Sequence, residues 1–368
     1  MIQKERLLTT FLDYVKIDSE STCEKEMAQR VADDLRAVGC RISFDESGEK
    51  TGSDTGNLYC TLPADAPGEP ILFCAHLDTV TPGRGVKPVI RDGVIYSSGD
   101  TVLGGDDKSG IAAIVEALRT VAEQNLPHPE IQLVFTVCEE VGLRGSKALD
   151  YDRITARRAV VLDSSGNPGK IITQAPGQYK INAAVIGRRA HAGVAPEEGI
   201  SAIQVLAHAV SAMRLLRIDE ETTANIGTFC SQYATNIVPD RAELKAEARS
   251  RSDEKLEAQV RHMTDCLQQA CDRFGAQLEL EQTHSYSAYS HAPDDPFVQT
   301  VAEACRRAGL EPQFAASGGG SDANHLNAHG IRALVLGTGM AKVHTTQEEL
   351  RIENLEGTAR LALALMTR

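Results

Sequence analysis

His76 and Asp78 close the apolar run ILFCAHLD at positions i and i+2, and the two-residue period of a strand points both side chains the same way. A neutral imidazole can hold a cation through one nitrogen while a carboxylate takes the other N–H and fixes the tautomer. A strand-end histidine bonded to a nearby aspartate serves structure equally well. Asp106 and Asp107 follow Gly104-Gly105 and directly precede a helical pattern. Acidic residues there cap a helix and complement its dipole, and the glycines allow the close, unusual backbone approach that a ligand loop requires. Glu139 and Glu140 end IQLVFTVCEE, where a strand gives way to the turn VGLRG. Two carboxylates at the mouth of an apolar strand must be exposed, paired or cation-bound, because uncompensated burial is costly. Their adjacency suits a division of labour, one on a cation and the other free to take a proton from water. Asp163 closes RRAVVLD in the same manner, and His344 lies just beyond IRALVLG, in KVHTTQEE.

Each of these residues has an ordinary explanation alone. Together, His76, Asp106, Glu139, Glu140, Asp163 and His344 fall at or just past the carboxyl ends of predicted core strands, where open α/β sheets gather their ligands. Two imidazoles and several carboxylates, with no thiolate motif, suit Zn, Co or Mn. They exceed what one tetrahedral ion with an open position needs, so the pattern predicts two divalent ions bridged by one carboxylate. Other chemistries lack their signatures. SGGGSDANH has no Gly-Lys-Ser/Thr ending, no G-x-G-x-x-G follows the first strand, and no G-x-S-x-G is present.

The elements that must carry these residues alternate. Helical patterns over 4–17 and 24–38 precede the strands RISFDE, GNLYCTLP and PILFCAHLD, the hairpin VIRDGVIYSS, the helix SGIAAIVEALRTVAEQ, and the strands IQLVFTVCEE and RRAVVLD. From Gln178 the order becomes βαββαβ, a ferredoxin-like unit, and after Ser290 the α/β grammar returns. The expected organisation is therefore a larger α/β domain over 1–177 and 291–368 with a smaller domain, 178–290, inserted into it.

Composition limits the partners. Lys+Arg number 38 against 51 Asp+Glu, a net charge of −13 over 368 residues, which disfavours nucleic acid. The N-terminal stretch has no apolar signal core, and no segment offers a membrane-length apolar run, so a cytoplasmic protein with no membrane partner is expected. Nine cysteines, an odd number with no C-x-x-C, read as reduced thiols.

CAHLDTV, LGGDDKSG, CEEVGLRGS, VVLDSSG, GRRAHAG, ATNIVPDRAELKAEAR, GGGSDANHL and VHTTQEEL occur in that order over nearly the whole chain. In this the sequence resembles the dinuclear metallopeptidase superfamily of peptidase T, carboxypeptidase G and acetylornithine deacetylase, and most of all its peptidase T-like branch. The resemblance implies a zinc-binding α/β domain with an inserted ferredoxin-like lid that commonly dimerises. It implies that His76, Asp106 and Asp163 hold one metal and that Asp106, Glu140 and His344 hold the other. Asp78 would orient His76, Glu139 would be the general base, and a cis peptide would join Asp106 to Asp107. In the lid, His191, Asn236 and Arg249 match substrate-contacting positions, with His191 stabilising the tetrahedral intermediate. On residue chemistry alone they read as a polar loop histidine, a turn asparagine and a solvated strand arginine. The implied activity is hydrolysis of short peptides by an aminopeptidase, the runner-up being removal of an acyl or carbamoyl group from an amino acid.

Overall fold

In the computed structural model, which describes residues 1–367, the chain divides into two units. The larger comprises Met1–Thr173, His291–Ala316 and the chain from Ser321 onward, and the smaller comprises Gln174–Ser290 with Ser317–Gly320. The first segment forms α1 (Lys4–Val15), α2 (Lys25–Arg36), β1 (Arg41–Phe44), α3 (Ser47–Thr51), β2 (Leu58–Leu62), β3 (Ile71–His76), β4 (Pro88–Arg91), β5 (Val94–Ser97), α4 (Gly105–Gln124), β6 (Ile131–Thr136), α5 (Arg144–Lys147), β7 (Arg158–Ser164) and β8 (Lys170–Ala175). The smaller unit supplies β9 (Gly177–Ile186), β10 (Ala190–His191), α6 (Ala202–Ala212), β11 (Leu216–Arg217), β12 (Thr222–Cys230), β13 (Ile237–Val238), β14 (Arg241–Ser250), α7 (Asp253–Phe274), β15 (Gln277–Tyr286) and β16 (Tyr289–Ser290). The chain then returns through α8 (Pro296–Arg307), β17 (Gln313–Ala316), α9 (Asp322–Ala328), β18 (Arg332–Gly337), β19 (Met340–Ala341), β20 (Glu349–Arg351) and α10 (Ile352–Met366).

The main sheet of the larger unit runs β1-β2-β6-β3-β7-β18-β8. Its centre, β6-β3-β7-β18, is parallel, so the carboxyl ends of these strands share one edge. β3 and β6 are almost wholly buried, as expected of apolar strands covered on both faces. α4 packs on β3 and β7 and is itself covered by α1 and α10, which explains why it is apolar nearly all round. Gly110 permits that close approach: a Cβ there would lie 2.4 Å from the Leu162 carbonyl oxygen and 2.5 Å from Asp107 Oδ1. β4, β5, β19 and β20 form a separate four-stranded sheet whose β19–β20 pair closes the loop bearing His344. KIITQA, unmarked in the sequence pattern, forms β8, antiparallel to β18.

In the smaller unit the sheet order is β11-β12-β14-β9-β15. The βαββαβ order is carried by β9, α6, β12, β14, α7 and β15. Ile181, Ala183 and Val185 on β9 pack with Val205 and Leu206 of α6 and Met263 and Leu267 of α7, while Lys180 and Asn182 alternate to the exposed side. This is the ferredoxin-like arrangement. No helix among the described residues is long and apolar enough to cross a membrane.

Gly110→Ala tests how tightly the start of α4, which bears Asp106 and Asp107, is pressed onto the sheet. The added methyl must push α4 from β7, and we expect a loss of ~1–3 kcal/mol in urea unfolding. An unchanged midpoint would mean that the helix has room there.

Candidate metal centre

β3 delivers His76 to the edge of the parallel sheet, where its side chain is buried. Nδ1 lies 2.9 Å from the Asp78 carbonyl oxygen and 3.4 Å from Asp78 Oδ1. An Nδ1–H donating to that carbonyl leaves Nε2 as the outward nitrogen, 3.0 Å from Asp106 Oδ1 and 3.7 Å from Asp163 Oδ1. Asp106 is reached from the other side as well. His344 Nε2 lies 3.2 Å from Asp106 Oδ2 and 3.0 Å from Glu140 Oε1. One carboxylate therefore stands between two imidazoles, each with a second carboxylate of its own. The peptide between Asp106 and Asp107 is cis, and Asp107 Oδ2 accepts the His76 backbone N–H at 3.3 Å.

The Asp78 carboxylate does more than touch His76. Oδ1 accepts the N–H of Glu139 at 2.9 Å, and Oδ2 accepts the N–H of Glu140 at 3.2 Å and the Ser21 hydroxyl at 2.6 Å. The turn after β6 is held from the other side by Glu24, whose Oε1 accepts the N–H groups of Cys138 at 3.0 Å and Thr22 at 2.9 Å. Glu348 accepts from Gly104 and Asp106 N–H at 2.8 and 3.0 Å. Ser21 and Glu24 lie in none of the motifs above, and within VHTTQEEL nothing singles out Glu348: each looks like one more polar residue in a solvated stretch. Only the burial of both glutamates separates them from their exposed neighbours.

Burial and crowding shift the proton affinities together. Desolvation pushes Glu139 well above the ordinary carboxylate range, and the nearby charges of Asp163, Asp322 and Glu140 add to it. Asp163 rises for the same reasons, with Asp106 and Glu140 among the repelling charges. Burial also raises Glu140, against the hydrogen bond from His344. Burial would likewise raise Asp106, but its hydrogen bonds to His344 and His76 hold it low. Burial opposes the charge on His76, yet the bonds to Asp106 and Asp78 leave it well above its usual value. The bonds to Asp106 and Glu140 push His344 up to about 10.

These residues fit divalent cations. Bonds of ~2.0–2.1 Å from a tetrahedral ion put neighbouring donor atoms about 3.3 Å apart, and the four N···O separations across the two imidazoles span 3.0 to 3.7 Å. Among the described residues, no lysine or arginine forms an ion pair with Asp106, Glu139, Glu140 or Asp163. The cluster is acidic, buried and short of positive charge.

His191, Asn236 and Arg249 belong to the smaller unit. The ribbon β10–β13 places Ala190 opposite Val238 and His191 opposite Ile237, and the Ala192 N–H donates to the Asn236 carbonyl at 2.9 Å. Both His191 and Asn236 are exposed. Arg249, on β14, donates from Nε to Glu247 Oε1 at 2.9 Å and from Nη2 to Oε2 at 3.1 Å.

The profile of the peptidase family M20/M25/M40 matches residues 72–368. An uncharacterized protein of Bacillus subtilis, YqjE, is 43% identical over 366 residues, 100% of this chain and 99% of the relative. A crystal structure titled as the aminopeptidase PepT of Bacillus cereus superposes with a TM-score of 0.93 at 44% identity, covering 99% of this chain and 98% of that one. One titled as a tripeptidase of Staphylococcus aureus gives a TM-score of 0.96 at 40% identity, covering 100% and 98%.

The proton balance gives a test. With its pKa raised above the ordinary ~6.5, His344 contributes fully to stability below that value and loses the contribution as pH rises through about 10. A cation taking Nε2 near neutral pH must displace this proton. Calorimetric titration of metal-free protein with zinc at about pH 7.5, in buffers of different ionisation enthalpy, is therefore expected to report proton release, with weaker binding at lower pH. Binding without proton release would show that His344 does not hold the raised proton affinity on which this expectation rests.

Proposed function

The chain belongs to the peptidase family M20/M25/M40, and from that membership we propose that it is a two-metal aminopeptidase acting on short peptides, tripeptides foremost. The observation that carries this reading is the Asp106 carboxylate, with one oxygen beside His76 and the other beside His344. We assign one ion to His76, Asp106 and Asp163 and the other to Asp106, Glu140 and His344. Their nitrogen and oxygen donors suit zinc, or cobalt or manganese in its place.

When bound, such ions supply Lewis acidity, polarising a scissile carbonyl and making water acidic near neutral pH. Glu139 has the role of general base. It is anchored through its own N–H on Asp78 Oδ1, its carboxyl forms no ion pair with any described residue, and burial beside Asp163, Asp322 and Glu140 raises its affinity for the proton it must take. The same carboxyl then passes that proton to the leaving amine. Asp78 holds the His76 ring and both glutamate N–H groups in register. We assign His191 to the oxyanion and Asn236 and Arg249 to the peptide, and we read the molecule as a homodimer joined through the smaller unit, whose sheet ends on the ten-residue strand β15. All nine cysteines are free, which supports a reducing, cytoplasmic setting.

The adjacent glutamates are expected to separate on mutation. Glu139→Gln keeps both ions and loses ~10²–10⁴-fold in kcat, whereas Glu140→Gln weakens one ion. Near-normal kcat in Glu139→Gln would remove it from the role of base. Elemental analysis of the same samples reads the metals.

Substrate class is tested separately with a free-amino tripeptide panel and the N-acetylated counterparts. Blocking the amine is expected to cut kcat/KM strongly, because acceptors arranged for an ammonium are left unpaired. Equal or better hydrolysis of the acetylated peptides, or of N-carbamoyl amino acids, would make the chain an amidohydrolase instead.

A further inference from the structure

Glu348 ends the loop that begins at Lys342 and carries His344, and it turns its side chain inward while its neighbours Gln347 and Glu349 do not. It is 1% exposed. Its two oxygens are spent on the other ligand loop: Oε2 accepts the Gly104 N–H at 2.8 Å and Oε1 accepts the Asp106 N–H at 3.0 Å. The base of its own loop is fixed by β19–β20, where Met340 pairs with Leu350 and Ala341 with Glu349. Within the loop, the Glu348 N–H donates to the Thr345 carbonyl at 3.0 Å and the Thr345 hydroxyl donates to the Lys342 carbonyl at 2.7 Å. His344 itself is half exposed, with φ 63°, so little packing holds its ring.

We propose that Glu348 is the positioning residue for the His344 half of the metal centre: by gripping the Gly104 and Asp106 N–H groups from the loop that bears His344, it sets Asp106 Oδ2 opposite His344 Nε2. The proposal rests on the two-ion reading above. Donor atoms on two separate loops hold an ion well only if the loops are tied before it arrives, because otherwise binding must order them. Glu348 is such a tie, made through backbone donors that no substitution at positions 104 or 106 other than proline removes. A different role is also open to the same bonds. The N–H groups at the start of α4 have no partners within the helix, and a carboxylate there satisfies them whatever lies nearby. A cap of that kind alters stability and leaves the two ion affinities alone.

Zinc affinities of the wild type and of Glu348→Gln, read by competition with a chromophoric chelator, separate the two roles. Circular dichroism and thermal unfolding of the zinc-free proteins run alongside. A glutamine accepts one of the two N–H groups and turns its own NH₂ toward the other. The expected result is one ion held with wild-type affinity and the second weakened ~10–100-fold, with activity restored by excess zinc. Glu348→Asp keeps the charge and shortens the reach by one methylene, and it is expected to weaken the same ion. It decides the matter if the glutamine variant does not fold.

Wild-type affinities for both ions in a folded variant overturn the proposal, even if that variant melts earlier, and so does equal weakening of both. Should neither variant fold, hydrogen exchange in the zinc-free wild type decides: slow exchange at Gly104 and Asp106 together with the Glu348 N–H of the His344 loop supports a loop tied before the ion arrives, and fast exchange at any of the three overturns it. A wild type that binds fewer than two ions contradicts the underlying reading instead.

Discussion

The accumulation of buried carboxylates around two imidazoles is the constraint from which the rest of this structure follows. Asp78, Asp106, Asp107, Asp163, Glu139 and Glu140 gather at one end of a parallel sheet, and Asp322 adds its charge to the same field. Removing so many anions from water is unfavourable unless protons, hydrogen-bond donors or cations compensate. The pattern of shifts reads out that tension. Asp163, Glu139 and Glu140 bind protons more tightly than carboxylates usually do, while Asp106, with an imidazole on each oxygen, does not. A divalent ion on each side of Asp106 would relieve the same tension without protons. The residue types and their separations favour that relief.

Backbone donors do much of the positioning. Asp78 draws together the end of β3, the turn after β6 and the segment before α2, because its two oxygens take donors from Glu139, Glu140 and Ser21. Glu24 braces the same turn one residue earlier, at Cys138, where φ is 53° and the backbone cannot continue the strand. Glu348 ties the loop before α4 to the loop after β19. A buried carboxylate that accepts two or three N–H groups is both satisfied and rigid, so these acids hold the clustered carboxylates and imidazoles in place. The fold supplies the common edge, and such acids supply the spacing.

Much of this was legible in the sequence. The parallel strands are apolar runs with a residue able to bind a cation at or beyond their carboxyl ends, which set the expectation of His76, Asp163 and Glu140 at one edge; β6 stops at Thr136, so Glu139 and Glu140 sit in the turn after it and not on the strand itself. A change of grammar near Gln178 set the expectation of an inserted unit over 178–290, and the smaller unit comprises Gln174–Ser290 with Ser317–Gly320. What stayed hidden had physical reasons. β8 reads KIITQA, too short and mixed to stand out, and it exists because β18 offers it an edge. β19 and β20 are two and three residues long and owe their form to pairing. The orienting contact of His76 was expected from the Asp78 carboxylate, whereas the shortest one comes from the Asp78 main chain, the carboxylate being engaged with the glutamates. Glu24 and Glu348 lie within SESTCEKE and TTQEEL, where spacing gives no sign of which acid turns inward.

The central claim is that Asp106 is shared by two cations, and anomalous diffraction from zinc-loaded crystals, recorded on both sides of the zinc absorption edge, tests it most directly. The account predicts two peaks per chain flanking the Asp106 carboxylate, one beside His76 and Asp163 and the other beside Glu140 and His344. A single peak, or two peaks of which neither touches Asp106, would contradict it.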